Sequence, residues 1–204
     1  FGVEIIGNSR TATLLFSILL ASGVTNTRIS LSASYKHPTV VDSDLGSGSL
    51  RTTDLGLNYK NRIEELAQEW SLFPVASSFA LSQRGAPKPV VPERNLRIIC
   101  GSFDSEYVEH LLRDGQDHFF VGRAPGHVAT VGPFVQPGST PCRRCLSLIE
   151  ADRIGVAELS IPLGTSDELP IAVAHQIAGL AAHAALKFID TGKSELQAAQ
   201  LIVD

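Results

Sequence analysis

The chain has 204 residues, which is enough for one domain with a sizeable buried core. Its hydrophobic content of 44% and charged content of 19% exclude an intrinsically disordered chain and suit a well-buried domain. A formal net charge of -4 gives no electrostatic reason to bind nucleic acid or an anionic membrane, and we expect neither as a partner.

The three cysteines are an odd number and do not make a disulfide framework, which favours a reducing, cytoplasmic location. The longest apolar run, Leu14 to Ala21, is too short to cross a bilayer. The sequence contains no Met and begins at Phe1, so we expect it to be a fragment of a longer protein. We treat residues 1–204 as a single domain.

The first part of the chain predicts a βαβ unit. Residues 2–6 form a short apolar strand, residues 7–11 a turn, and residues 11–22 an apolar helix that ends before Gly23. Residues 28–33 alternate polar and apolar side chains, which indicates a second strand. This order of elements predicts two parallel strands joined by a right-handed crossover.

The rest of the chain continues as an α/β sequence, beginning with an irregular segment at residues 34–57. The apolar spacing of residues 60–70 predicts an amphipathic helix, and residues 83–94, which are rich in proline, predict a solvent loop. Further strands are predicted at residues 75–81, 96–100, 118–122, 128–135 and 196–203, and further helices at 104–114, 142–152 and 170–191. The predicted fold class is α/β, a mostly parallel sheet flanked by helices, with the later strands partly antiparallel.

The turn after the first strand is the first candidate for chemistry. Gly7, Ser9 and Arg10 stand where the glycine turn of a nucleotide-binding fold brings phosphate to a helix N-terminus. Ser9 takes the place of the second glycine and adds a side chain where the phosphate approaches. The acid that binds ribose at the end of the second strand has no counterpart near Ser34. A plain strand-to-helix turn explains the same residues, and both interpretations stay open.

Two basic residues form a second candidate, because Arg51 and Lys60 are able to contact a triphosphate. A surface arginine and a lysine in the first turn of a helix are the simpler interpretation. The third candidate is the pair Cys142 and Cys145, which has the spacing of half a tetrahedral zinc site. A redox pair at a helix N-terminus beside two arginines, or a purely structural role, explains the same spacing.

Taken together, these segments resemble the ubiquitin-activating-enzyme-like (ThiF/MoeB-type) adenylyltransferase family, in particular its bacterial branch associated with ribosomal peptide modification. The resemblance runs from the turn at Gly7, through Arg51 to Lys60, to residues 131–146 (VGPFVQPGSTPCRRCL), which look like the family's strand, crossover turn and first zinc cysteine pair. The resemblance implies a Rossmann-like core, a homodimer, and Mg-ATP-dependent adenylation of a peptide or small-protein carboxyl terminus. It assigns catalysis to Arg51, Lys60 and Asp104, and nucleotide binding to Gly7, Ser9 and Arg10.

The sequence also departs from the family's pattern. Ser9 replaces a glycine, Lys60 is displaced by one residue, and Cys142 and Cys145 have no second cysteine pair. We therefore expect a degenerate member, a non-catalytic scaffold or peptide-presenting partner of a modifying enzyme. Zinc and a resident cofactor are not expected, the two cysteines being a relic half-site, and Mg-ATP is expected only if the domain is active.

Two alternatives remain. The first is a working adenylyltransferase that activates a peptide or ubiquitin-like carboxyl terminus through unusual contacts. The second is an NAD-dependent oxidoreductase, which shares the βαβ unit but explains neither the cysteine pair nor the missing acid. The expected partners are a second copy of the chain, supported by the alanine-rich helix at residues 171–189, and a peptide, a small protein or a modifying enzyme.

Overall fold

The structure, a computed structural model, describes residues 1–7, 9–30, 39–46, 49–71, 95–101, 105–123, 129–155 and 169–203. Within these residues the chain forms one six-stranded sheet and five α-helices. The strands are β1 (Gly2–Ile6), β2 (Thr27–Ser30), β3 (Asn95–Cys100), β4 (Asp117–Arg123), β5 (Ala129–Val135) and β6 (Leu201–Val203). The helices are α1 (Arg10–Ala21), α2 (Tyr59–Trp70), α3 (Ser105–Arg113), α4 (Arg143–Ile154) and α5 (Ile171–Thr191).

The strand order in the sheet is β2-β1-β3-β4-β5-β6. The first four strands in this order are parallel to one another, whereas β5 is antiparallel to β4 and β6 is antiparallel to β5. The predicted α/β class is therefore confirmed, including the antiparallel direction of later strands. The chain crosses from β1 to β2 on one side and later returns to β3 on the other, which places a topological switch point between β1 and β3.

The sheet has a helical layer on each face. On one face, the side chains of Val3, Ile5 and their neighbours on β3 to β5 pack against α1, α2 and α5 in one large apolar core. On the other face, Ile6, Ile99 and Phe120 form a smaller cluster with α3 and with Cys142, which precedes α4. Successive residues of a strand point to opposite faces, so β1 and β4 each supply side chains to both layers.

The predicted helix at residues 11–22 is confirmed as α1, with a start one residue earlier. Its residues are apolar almost all round, as in a helix that is buried on most sides, and it packs against β2, α2 and α5. At its end the Ser22 N–H donates to the Ile18 carbonyl at 2.9 Å, and Gly23 follows with a φ of 90°. Only glycine adopts a positive φ without a steric penalty, which explains why the helix ends at this residue.

The long helix α5 is also confirmed, but its alanines are used within the chain. Ala174, Ala178, Ala181 and Ala185 are fully buried in the core, where the small side chains allow α5 to lie close to α1. These alanines therefore form no surface for a second copy. By length and composition α5 is apolar enough to cross a membrane, but its buried face makes it a central core helix of this fold.

The predicted final strand at residues 196–203 is shorter than expected, because only Leu201–Val203 forms a continuous ladder with β5, while Gln197 makes an isolated bridge to Phe134. The preceding residues form a turn in which the Ala199 N–H donates to the Leu196 carbonyl and Ala198 has a φ of 57°. An alanine in this left-handed region cannot continue a strand. The predicted strand at residues 75–81 and the predicted loop at 83–94 lie outside the described residues.

The buried side chain of His118 on β4 makes the stability of the fold depend on pH. Its side chain is fully buried, and its Nδ1–H donates to the Gln116 carbonyl at 2.8 Å, while Nε2 has no partner among the described residues. Burial lowers the pKa of His118, and the Gln116 carbonyl and the charge of Asp117 oppose this effect only partly. The folded protein therefore holds a neutral imidazole that the unfolded chain protonates more readily.

Because its pKa is lower in the folded state, His118 supports folding above about pH 6.5 and destabilises the fold as the pH falls below that value. We expect the free energy of unfolding, measured with urea from pH 8 to about pH 5, to fall more steeply in the wild type than in His118→Phe. His175→Gln, at an exposed position on α5, is the matched control and should follow the wild type. Parallel curves for wild type and His118→Phe would contradict this account.

Candidate functional site

Gly7 follows β1 at the switch point of the sheet. Its φ is 137°, and a Cβ atom placed on it would lie 2.3 Å from the carbonyl oxygen of Cys100 at the end of β3. The next residue on that side, Gly101, donates its N–H to the Val121 carbonyl at 2.9 Å. The two glycines thus lie at the carboxyl ends of neighbouring parallel strands, the position where open α/β sheets bind ligands. The sequence analysis placed Gly7 in the turn after the first strand, and its predicted contact with a nucleotide stays a prediction.

Ser9 is the N-cap of α1. It has extended backbone angles, its side-chain oxygen accepts a hydrogen bond from the Ala12 N–H at 3.2 Å, and its carbonyl accepts from the Thr13 N–H at 3.1 Å. The Ser9 side chain is nearly buried. It therefore satisfies one of the N–H groups that a bare glycine turn leaves available to a phosphate.

Arg10 connects three separate parts of the backbone. Its Nε donates to the Leu45 carbonyl at 2.7 Å, and its two terminal nitrogens donate to the carbonyls of Ser43 and Leu169, both at 3.1 Å. The guanidinium thereby joins the start of α1 to the loop at residues 39–46 and to the residues that precede α5. This geometry gives Arg10 a structural role, and its predicted contact with a nucleotide stays a prediction.

Arg51 lies in a loop that is held by a buried carboxylate. Asp54 is 4% exposed, accepts the Arg51 N–H at 2.8 Å through Oδ2, and pairs with Arg62 of α2 at 2.8 Å through Oδ1. The Arg51 side chain itself is exposed and forms no hydrogen bond or ion pair with the residues that the structure describes. The loop is therefore fixed, while the Arg51 side chain is available to a ligand.

At the start of α2, the neighbouring residues Tyr59 and Lys60 point in different directions, Tyr59 into the core and Lys60 to solvent. Tyr59 is fully buried, and its hydroxyl lies 2.6 Å from the Thr13 hydroxyl of α1. The side chain of Lys60 is 62% exposed, and among the described residues its ion-pair partner is Glu64, at a long distance of 3.9 Å. The inward residue at this end of α2 is thus a tyrosine, one residue before the lysine that the sequence analysis singled out. The four-residue spacing from Tyr59 to the buried Ile63 is the pattern that identifies it as a core position.

The remaining predicted positions of the nucleotide site lie outside the described residues. Asp104 immediately precedes the described start of α3, and Ser34 follows the described end of β2. Their predicted roles in catalysis and ribose recognition stay predictions. Among the predicted site residues that are described, Gly7, Ser9 and Arg10 lie together at the start of α1, and the Tyr59–Thr13 contact brings the start of α2 to the same region.

Cys142 and Cys145 lie at the start of α4, in the helical layer on the opposite face of the sheet from α1. Their sulfur atoms are 3.4 Å apart. Cys142 is the N-cap residue and is half-buried against the smaller cluster, whereas Cys145 is exposed. Within the described residues no group of three His, Cys, Asp or Glu side chains is arranged to hold a metal ion. In the described part of the chain the pair is thus a contact of two sulfur atoms, and the expectation that it binds no metal stays a prediction.

The electrostatics around this pair are asymmetric. Burial raises the pKa of the Cys142 thiol, but backbone N–H groups of Cys145 and Arg144 together with the Cys145 thiol outweigh this effect, and the net pKa is lowered. The Arg143 guanidinium lies over the Phe120 ring, 5.4 Å from its centroid, and burial lowers the pKa of Arg143 to about 10. Arg144 is exposed beside the pair.

Comparison with known proteins finds similarity in structure only. No protein-family model matches the chain. A search of curated proteins finds no match either. The fold is similar to Escherichia coli MccB bound to AMPCPP and MccA, with a TM-score of 0.68, 18% identity, and 99% of this chain covering 60% of that chain. It is similar to the microcin C7 biosynthetic enzyme MccB in complex with N-formylated MccA, with a TM-score of 0.68, 17% identity, and 99% of this chain covering 61% of that chain.

A third similar structure is PaaA, with a TM-score of 0.64, 17% identity, and 100% of this chain covering 69% of that chain. The present chain thus spans about three fifths of the length of the MccB structures it matches. At these identities the similarity establishes a shared fold. The chain has the MccB-like α/β fold, with a glycine turn at its switch point and a cysteine pair at the start of α4.

Proposed function

We propose that this chain is an adenylyltransferase-type domain of a peptide-modification system, and that it holds or presents a peptide or small protein without adenylating it. The shared fold with MccB supports the general kind of protein, since MccB has been crystallised with ATP and with MccA. The resemblance of the turn at Gly7 and of residues 131–146 to the ThiF/MoeB-type family supports the same kind. The geometry of the first turn of α1 and of the start of α2 supports the absence of adenylation.

The observation that carries the proposal is the first turn of α1. The Ser9 side chain occupies the Ala12 N–H, and the Arg10 guanidinium is directed to the carbonyls of its own chain. A phosphate that binds at a helix N-terminus needs free N–H groups and close access to the backbone. In this chain, part of that binding capacity is already satisfied by protein groups.

The start of α2 supports the same conclusion. The position that faces α1 carries Tyr59, whose hydroxyl contacts Thr13, and Lys60 is turned to solvent. The buried Tyr59 phenol carries no positive charge that could bind a triphosphate. Moving it out of the core to make room for one would expose its ring to water and break its hydrogen bond.

One observation favours the alternative, a working adenylyltransferase. The side chains of Arg51 and Lys60 are both exposed, so a bound triphosphate would not need to break strong internal contacts to recruit them. Exchange of pyrophosphate into ATP on addition of a peptide substrate would establish this alternative. It would require the loop and α2 to bring both cations toward Gly7.

Calorimetric titration with Mg-ATP is the decisive test. We expect no saturable binding, corresponding to a dissociation constant weaker than about 1 mM, because Ser9 and Arg10 fill the first turn of α1. MccB, which has been crystallised with ATP, is the positive control in the same buffer.

Micromolar binding at a one-to-one ratio would overturn the non-catalytic proposal. In that case the double variant Arg51→Ala/Lys60→Ala separates specific binding from adventitious binding. Loss of at least about tenfold in affinity, about 1.4 kcal/mol, would show that the two exposed cations contact the triphosphate.

We also propose that the chain works as a homodimer beside its peptide or protein partner. Because the alanines of α5 are buried within the chain, the exposed apolar residues Leu201 and Ile202 on the edge strand β6 are the better candidates for an interface. Light scattering at high protein concentration tests the dimer, and a monomer under these conditions would remove this part of the proposal.

A further inference from the structure

Two surface turns of this chain share a sequence pattern and a backbone shape. The Asp44 turn (residues 41–46, VDSDLG) and the Asp54 turn (residues 51–56, RTTDLG) both end in Asp-Leu-Gly. Each has one short stretch of 3₁₀ helix after an extended residue. Each ends at a glycine with a positive φ, 83° at Gly46 and 80° at Gly56. The two turns are therefore two copies of one local structure.

The hydrogen bonds within the two turns match as well. Asp44 Oδ2 accepts the Val41 N–H at 2.9 Å, and Asp54 Oδ2 accepts the Arg51 N–H at 2.8 Å. The N–H groups of the two aspartates donate in turn to the carbonyls of Val41 and Arg51, at 2.9 Å in both cases. Both aspartate side chains are buried, which holds each turn in its shape. The carbonyl groups at the end of one turn are therefore arranged like those at the end of the other.

The Asp44 turn shows which groups this structure binds. The Arg10 guanidinium donates from Nε to the Leu45 carbonyl at 2.7 Å and from a terminal nitrogen to the Ser43 carbonyl at 3.1 Å. The side chain of Ile171 lies over Gly46, with its Cδ1 only 2.8 Å from the position that a Cβ atom on this glycine would take. One guanidinium and one aliphatic side chain thus cover the end of the turn, and the glycine leaves room for them.

The end of the Asp54 turn is open to solvent. Within the described residues, the carbonyls of Thr53 and Leu55 accept no hydrogen bond, and no atom lies within 4 Å of the Cβ position of Gly56. The side chains of Leu55 and Leu57 are exposed beside these carbonyls. The Asp54 turn therefore presents to solvent the same two acceptors that hold Arg10 in the Asp44 turn, next to apolar surface.

We propose that the Asp54 turn binds an arginine side chain of a peptide partner, with a neighbouring aliphatic side chain of the peptide over Gly56. The guanidinium donates to the carbonyls of Thr53 and Leu55 at once, because its nitrogens form a planar fork that an ammonium group lacks. Leu55 and Leu57 provide apolar contact for the residues on either side of the arginine. Only the source of the arginine, a peptide that this chain holds, rests on the function proposed above.

The charges of the chain are compatible with this ligand. Arg51 stands at the N-terminal end of the Asp54 turn, whereas the accepting carbonyls lie at its other end. Arg62 is already paired with Asp54 and with Glu65, at 2.8 Å and 3.0 Å. The net charge of -4 on the whole chain favours a cationic partner over an anionic one.

An NMR titration of the full ¹⁵N-labelled chain with capped tripeptides tests the site. The probe is acetyl-Leu-Arg-Leu amide. Acetyl-Leu-Lys-Leu amide keeps the charge without the fork, and acetyl-Leu-citrulline-Leu amide keeps the shape without the charge. We expect the arginine peptide to shift the amide signals of Leu55, Gly56 and Leu57, with a dissociation constant on the order of 1 mM and at least about fivefold tighter than either control peptide.

Two glycine variants identify where the peptide binds. Gly56→Ala adds a methyl group where the aliphatic side chain of the peptide lies, and should weaken binding at least about tenfold. Gly138→Ala is the matched control, because its φ of 81° and its open Cβ position resemble those of Gly56. It should bind the arginine peptide like the wild type. The amide signals of Asp54 and Arg62 in the free Gly56→Ala protein check that the turn keeps its shape.

Three outcomes would overturn the proposal. The first is that none of the peptides shifts the signals of the turn. The second is that the arginine, lysine and citrulline peptides bind equally well, since the fork would then not be recognised. The third is that Gly56→Ala binds like the wild type, which would place the peptide elsewhere on the chain and leave the peptide-holding function intact. Binding of Mg-ATP, in contrast, would overturn the non-catalytic function without changing the result at this turn.

Discussion

Replacement of Gly7 by alanine is expected to destabilise the fold by about 3–5 kcal/mol. Two effects add at this position. The φ of 137° is strained for any residue with a Cβ atom, and that atom would lie 2.3 Å from the Cys100 carbonyl oxygen and 3.1 Å from the Cys100 Cβ. The contact is with the backbone of β3, which is held between β1 and β4 and cannot move aside without loss of sheet hydrogen bonds.

Gly56→Ala is the matched control, because its φ is 80° and nothing lies within 4 Å of the Cβ position. It should lower the free energy of unfolding by only about 1 kcal/mol, because the left-handed backbone is strained for alanine but no atom clashes with the new Cβ. Urea unfolding of the two variants measures both values against the wild type. An equal, small loss for the two variants would show that β3 yields to the new methyl group and that close packing does not explain Gly7.

A glycine at this turn does not by itself indicate that the chain binds a nucleotide. A glycine after the first strand of a nucleotide-binding fold is often attributed to a phosphate that needs close access. Here the packing of Gly7 against Cys100 is sufficient to require it, whether or not a nucleotide binds. Gly7 is therefore explained by the fold alone. Whether a nucleotide binds depends on Ser9, Arg10 and Tyr59.

The sequence predicted the fold well where local patterns determine structure. The helices α1, α2 and α5 were predicted to within a residue or so, because each combines apolar spacing with a stop signal or a capping residue. The length of the last strand was overestimated, because the mostly apolar residues 196–203 do not reveal the left-handed turn at Ala198. A local pattern gives the type of an element more firmly than its ends.

The candidate site was less predictable, because its contacts join residues that are far apart in sequence. The carbonyl partners of Arg10 come from Ser43, Leu45 and Leu169, and no local pattern indicates which of these the guanidinium reaches. Tyr59 contacts Thr13 across 46 residues for the same reason. Residue types at Gly7 and Cys142 were informative because a turn and a helix start are local features.

Arg10→Ala is expected to cost about 2–4 kcal/mol of stability. Three hydrogen bonds from a charged donor to the backbone carbonyls of Ser43, Leu45 and Leu169 are lost. Arg10→Lys should recover only part of this loss, since a single ammonium group on a flexible chain cannot reproduce the planar fork of a guanidinium. The midpoint of urea unfolding reports the order wild type, Lys variant, Ala variant.

Arg51→Ala is the control for this prediction, because Arg51 was also predicted as a site residue, in its case a catalytic one, but its side chain is exposed. Its removal should change stability by less than about 0.5 kcal/mol. If Arg10→Ala were as stable as Arg51→Ala, the three carbonyl contacts would contribute nothing, and Arg10 would again be available as a ligand for phosphate. If only Arg10→Ala is unstable, the residue that the nucleotide-binding pattern marks for a ligand is instead a structural link between α1, the loop at residues 39–46 and α5.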